Sequence, residues 1–207
     1  MSPTIESTFF KIIEESGELA RNVLAFLPFE ELEVDQVHND PQAVEILGEV
    51  CTELLDVAQT CVSMIFVLEQ TYGICMDQMI SLHLEKLQAK GYQYNREEKY
   101  FITSESDYKY LHLPRLDLTG VTLLTTACKL QEEIGEAGQF WGKGQGKSGE
   151  QAALDSDSII KGYSLELLDI AQCCFTMMYI LQEKYRIDFG LLVRKHLEKL
   201  RLKGYCK

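Results

Sequence analysis

The feature that most constrains this chain is that it repeats itself. Displaced by 113 residues, ELLDVAQTC (53–61) falls on ELLDIAQCC (166–174), and HLEKLQAKGY (83–92) falls on HLEKLRLKGY (196–205). Across 53–92 against 166–205, 19 of 40 positions are identical, so the fold of the first copy must also suit the second. A displacement of 118 places KIIEESGE (11–18) on KLQEEIGE (129–136), and the five-residue difference between the two offsets means that one connector is shorter in the second copy. The chain therefore divides into a first repeat, 1–92, a linker, 93–120, and a second repeat, 121–207. A unit of this size standing alone would expose an apolar face, so the two copies are expected to pair within one chain.

The repeats read as helical. Only four prolines occur, at 3, 28, 41 and 114, and the long windows between them carry apolar residues at spacings of three and four. This periodicity predicts helices over about 5–27, 42–72, 75–90, 119–141, 160–185 and 188–203. The expected fold class is all-α, with two tandem repeats forming a single-chain pseudo-dimeric bundle. The linker is rich in Tyr and charge, and it has room for a short extended piece around YFITS (100–104). It reads mainly as a tether, which at about 3.3 Å per extended residue can cross a small domain.

Charge narrows the partners. With 32 acidic against 20 basic residues the net charge is −12, which repels a nucleic-acid polymer at long range. Clustered carboxylates can instead hold a divalent cation that bridges to a small phosphorylated ligand. Seven cysteines, at 51, 61, 75, 128, 173, 174 and 206, form no CxxC pair and lie mostly in apolar helical runs. They read as small core residues in a reducing compartment. The longest apolar stretches, near 61–68 and 173–181, look short for a bilayer span, and no basic segment with an apolar core opens the chain. A cytoplasmic protein without a membrane partner is the expectation.

Within each repeat, acids recur three residues apart: Glu15 with Glu18 and Glu53 with Asp56, then Glu133 with Glu136 and Glu166 with Asp169. On a helix such a pair shares one face. If the two acidic helices of a repeat pack face to face, four carboxylates meet, and hard oxygen ligands of that kind suit Mg²⁺ or Mn²⁺. A single pair of this type is usually a solvated helix face. Glu53 and Asp56, however, interrupt the apolar run CTELLDVAQTCVSMIFVL, where an uncompensated acid is costly to bury. A di-iron carboxylate bundle is excluded because neither His83 nor His196 follows a Glu at the required spacing of three. Those histidines read as interhelical hydrogen-bonding groups.

EESGE (14–18) followed by ELLDVAQ (53–59), and EEIGE (132–136) followed by ELLDIAQ (166–172), resemble the EExxE and ExxD motifs of the MazG-like all-α nucleoside triphosphate pyrophosphohydrolases. The closing HLEKLxxKGY segments resemble the end of short bacterial MazG-like proteins. The resemblance implies Mg²⁺-dependent cleavage between the α- and β-phosphates of a nucleoside or deoxynucleoside triphosphate, releasing a monophosphate and pyrophosphate. It implies that all eight acids named above are metal ligands. Glu14 and Glu132, the first acids of the motif, then become candidates for orienting the attacking water or bracing a ligand.

Lys86 and Lys90 of the first repeat, with Lys199 and Lys203 of the second, are placed by the same resemblance to meet phosphates from the last helix of each copy. Leu84 and Leu197 stand where the family pattern has Asn, which removes an expected polar contact. Trp141 resembles an aromatic residue near this point in related enzymes and is a candidate to stack on a base. GKS (146–148) imitates the end of a phosphate-binding loop, but the motif needs Gly where Trp141 stands, so only ordinary electrostatics from Lys143 and Lys147 is expected there. Two further readings stand beside the leading one: a phosphoribosyl-ATP pyrophosphatase-like enzyme, and a noncatalytic module that binds nucleotide or a partner protein. Pairing of two chains into a further homodimer is compatible with each.

Overall fold

A computed structural model describes residues 4–105, 108–144, 146, 155–202 and 204, leaving out the side chains at 105 and 108. The described chain is overwhelmingly helical. Its α-helices are α1 (Ile5–Phe26), α2 (Val34–Asn39), α3 (Pro41–Tyr72), α4 (Met76–Ala89), α5 (Leu123–Gly144), α6 (Ser156–Tyr185) and α7 (Phe189–Leu202). Helix ends follow local chemistry. Thr4 caps α1 in a reciprocal box with Ser7, and Asp40 accepts from the backbone amides of Gln42 and Ala43 ahead of Pro41 at the first turn of α3. Gly73, at φ 66°, closes α3 in the left-handed region, where a side chain is strained.

Two features go beyond the expectation. The stretch 34–39, read only as part of a connector, is the short helix α2, whose Glu33 and Gln36 form a capping box. The linker holds an antiparallel hairpin, β1 (Ile102–Glu105) paired with β2 (Tyr108–Leu111), with Ile102 opposite Leu111. Helix α6 begins at Ser156, a turn earlier than its apolar pattern suggested, because Asp155 accepts from the Ser158 amide and caps it there.

Four long helices build the core. Helix α1 packs on α3, α5 packs on α6, and α3 meets α6 at the centre. Leu54, Met64, Ile65 and Leu68 are sealed from solvent on the first of these central helices, and Leu167, Leu168, Cys174 and Met177 on the second. The Cys61 thiol donates to the Leu167 carbonyl at 3.0 Å where they meet. Helices α3 and α6 are long and apolar enough, by length and composition, to cross a membrane, although their longest unbroken apolar runs are short. Burial accounts for much of that apolar surface, covering half of the window in α3 and 78% in α6.

The last helix of each repeat does not pack chiefly on its own repeat. Helix α4 lies against α6, and α7 lies against α3. This exchange brings the histidine and lysine of HLEK in one copy to the ELLD acids of the other.

Candidate metal centre

The second-repeat acids form a compact cluster. Glu133 from α5 and Glu166 and Asp169 from α6 are all buried, and carboxylate oxygens from the three lie within 4.8 Å of one another. Like charges so close in a low-dielectric setting require compensation. It comes from two directions. Lys129, one turn before Glu133 on α5, reaches it at 2.6 Å and also pairs with Glu132 at 2.9 Å. Helix α4 sends Lys86 to both oxygens of Glu166 at 3.4 Å and into close contact with Asp169, while His83 meets Asp169 through Nδ1 at 2.7 Å.

The balance differs from acid to acid. Burial pushes the Glu166 carboxyl up to about 8, with Lys86 opposing and Asp169 and Glu133 reinforcing the shift. Burial also acts on Asp169, but the His83 hydrogen bond and Lys86 outweigh it and hold this carboxyl below its ordinary range. Glu133 is 2% exposed; its Oε2 meets no N–H or hydroxyl donor among the described residues, and the neighbouring Glu166 carboxyl is within hydrogen-bond reach of Glu133 when it carries its proton. A buried carboxylate oxygen in that condition, among hard oxygen donors, fits a divalent cation.

Beside the cluster opens a cavity of about 310 Å³. Its lining includes the charged Glu133, Asp169, Lys86, Lys90 and Lys129 and the apolar or aromatic Leu87, Tyr92, Leu116 and Val121. Gln172, one turn beyond Asp169, lines it too: its amide nitrogen donates to the Pro114 carbonyl at 2.9 Å, and its oxygen faces His83 Nε2 at 3.5 Å.

The first repeat repeats the pattern loosely. Lys11 pairs with Glu14 and Glu15 at 3.3 Å, as Lys129 pairs with Glu132 and Glu133. Lys199 reaches Asp56 at 3.0 Å, and His196 Nδ1 stands 3.6 Å from it. Glu15 is buried, whereas Glu53 and Asp56 are only half-buried. Burial raises Glu15, with Thr60 and Lys11 opposing. Burial also raises Glu53, reinforced by Glu18 and Asp56.

Other predicted site residues stand apart from the cluster. Glu14 and Glu132 lie on the solvent side of their helices, with side chains 62% and 57% exposed and paired to the same lysines as their buried neighbours. Glu18 and Glu136 are half-buried. Lys90 is exposed at the cavity rim. Trp141 lines a different hollow, with Ile5, Tyr72, Ile74 and Ile160. Lys143 is half-buried at the end of α5, and Lys147 and Lys203 lie outside the described residues.

Sequence reasoning passed over Lys11 and Lys129, whose signal is the Lys-x-x-Glu-Glu spacing present in both copies. It also passed over Gln172, although it closes the quoted ELLDIAQ stretch, and over Leu116 of the linker and Val121 just beyond it, for which no motif exists. No protein-family model, curated protein or solved structure matches this chain.

Proposed function

We propose that this protein is a Mg²⁺-dependent pyrophosphohydrolase of nucleoside or deoxynucleoside triphosphates, built as a single-chain pseudo-dimer of MazG-like repeats. The observation that carries the reading is the buried Glu133–Glu166–Asp169 cluster, two of whose acids, Glu133 and Asp169, line a cavity together with three lysines. Glu133, Glu166 and Asp169 would hold the cation. A divalent ion bound there would neutralise a triphosphate and polarise an attacking water.

The residues of the chain supply the remaining parts. Lys86, Lys90 and Lys129 line one cavity, where their charges match that of a polyphosphate. His83 holds Asp169 through its Nδ1 hydrogen bond, fixing the rotamer of a ligand from outside the cluster. Leu87, Leu116 and Val121 give the same cavity apolar lining, against which a sugar and base would lie. The reaction consumes one water, breaks the bond between the α-phosphorus and its bridging oxygen, and yields monophosphate and pyrophosphate.

The test is a panel of ribo- and deoxynucleoside triphosphates incubated with Mg²⁺ and resolved by chromatography. Monophosphate plus pyrophosphate is expected, with loss of product in EDTA and in Glu133→Gln. Diphosphate plus phosphate would refute the cleavage site. Binding without product across the panel, and with phosphoribosyl-ATP, would establish the noncatalytic module instead.

A further inference from the structure

The two repeats satisfy equivalent carboxylates in different ways. In the first, the Thr60 hydroxyl donates to Glu15 Oε2 at 2.8 Å, and Lys11 stands 3.3 Å from Oε1, so both oxygens have partners inside the repeat. At the 113-residue displacement the counterpart of Thr60 is Cys173, which brings no hydroxyl, and at 118 the counterpart of Glu15 is Glu133. Glu133 Oε2 is the atom that meets no N–H or hydroxyl donor among the described residues. One substitution between copies thus separates an acid that has a hydroxyl donor from one that has none.

A second difference runs in the same direction. Gln59, the counterpart of Gln172, donates along its own helix to Ser63 at 3.1 Å. Gln172 instead donates to Pro114, anchoring the linker beside the second cluster, and Leu116 and Val121 then wall the cavity there. The linker has no repeat counterpart.

We propose that the repeats have divided their labour. The second-repeat cluster is the centre that takes the cation and the whole substrate, and a wall formed by Leu116 of the linker and Val121 at the start of the second repeat holds the organic moiety of a phosphorylated ligand. In the first repeat Glu15 is satisfied by Thr60 and Lys11 and Asp56 by Lys199 of α7, and the role of these acids is to hold α1, α3 and α7 together. This inference rests on the metal-binding reading of the cluster given above.

Mn²⁺ binding to the full chain, followed by electron paramagnetic resonance of the free ion, tests the division without requiring turnover. Tight binding is expected to vanish in Glu133→Gln and to persist in Glu15→Gln. Cys173→Thr should weaken it roughly tenfold, about the worth of one charge-assisted hydrogen bond, by giving Glu133 the donor that Glu15 already has. Cys173→Val has the same shape without the hydroxyl and should bind as the parent does, which separates hydrogen bonding from packing. For the wall, Leu116→Ala/Val121→Ala should weaken α,β-methylene deoxynucleoside triphosphates while leaving pyrophosphate binding unchanged.

Equal losses in Glu15→Gln and Glu133→Gln, or equal effects of Thr and Val at 173, would overturn the division and leave the metal-binding reading standing. Equal weakening of pyrophosphate and the methylene analogues would remove the role of that wall. No tight Mn²⁺ in the parent would overturn the reading and the inference together.

Discussion

At the scale of single residues, the centre is a balance of buried charges. Glu166 keeps its proton up to about 8 in the folded chain, whereas the unfolded chain releases it near the ordinary value of 4.5. Between those values the folded state binds more protons, so the contribution of this group to stability is fully present at low pH and is lost as pH rises through 8. Without divalent metal, the melting temperature should therefore fall more steeply over that window in the parent than in Glu166→Gln. Scanning calorimetry at several pH values checks this, and an unchanged slope in the variant would refute the assignment. His83 gives a second prediction. It is fully buried against Asp169, so His83→Ala removes one hydrogen-bond partner of a buried carboxylate that Lys86 also contacts and should cost about 2 kcal/mol in denaturant unfolding, the usual worth of a hydrogen bond to a charged group.

At the scale of elements, close packing between α5 and α6 sets the position of the acids. Gly162 sits under the ring of Phe140, where an added Cβ would come within 2.2 Å of a ring carbon. Gly162→Ala must therefore push Phe140 off α6, and overpacking of this kind costs about 1–3 kcal/mol. A lower melting temperature is expected, together with weaker Mn²⁺ binding, because Glu133 and Glu166 sit on the two helices being separated. Gly135→Ala on the same α5 meets nothing within 4 Å and serves as the comparison, since Ala there improves helix propensity without a clash. Helix existence and phase were legible in the apolar spacing of every long element. The ends were less so: α2 is six residues long and carries no periodic signal, and α6 starts where Asp155 caps it and not where its apolar pattern begins.

At the scale of the whole molecule, the exchange of last helices makes each repeat dependent on the other. Helix α4 finds its packing on α6, and Lys86 and His83 find their partners on the second repeat. A fragment of residues 1–95 should therefore show helical circular dichroism without a cooperative thermal transition. A sharp, concentration-independent melt of that fragment would show that the first repeat folds unaided. Mixing it with residues 96–207 should restore cooperativity, since the α3–α6 interface supplies apolar surface from both parts.

The sequence by itself determined the helical class, the duplication, and the register of the acids, because helical periodicity and three-residue spacing are local properties of the chain. Glu133, Glu166 and Asp169 could be named as ligand candidates from spacing alone. Only the tertiary structure decided that His83 and Lys86 serve the acids of the opposite repeat, since 86 and 83 residues of chain separate them from Asp169 and no local rule spans that distance. It also decided that Leu116 and Val121 wall a cavity, and that a hydroxyl at position 60 and a thiol at 173 give equivalent acids different surroundings. Helix formation is set by neighbours in the chain, whereas the compensation of buried charge is set by neighbours in space.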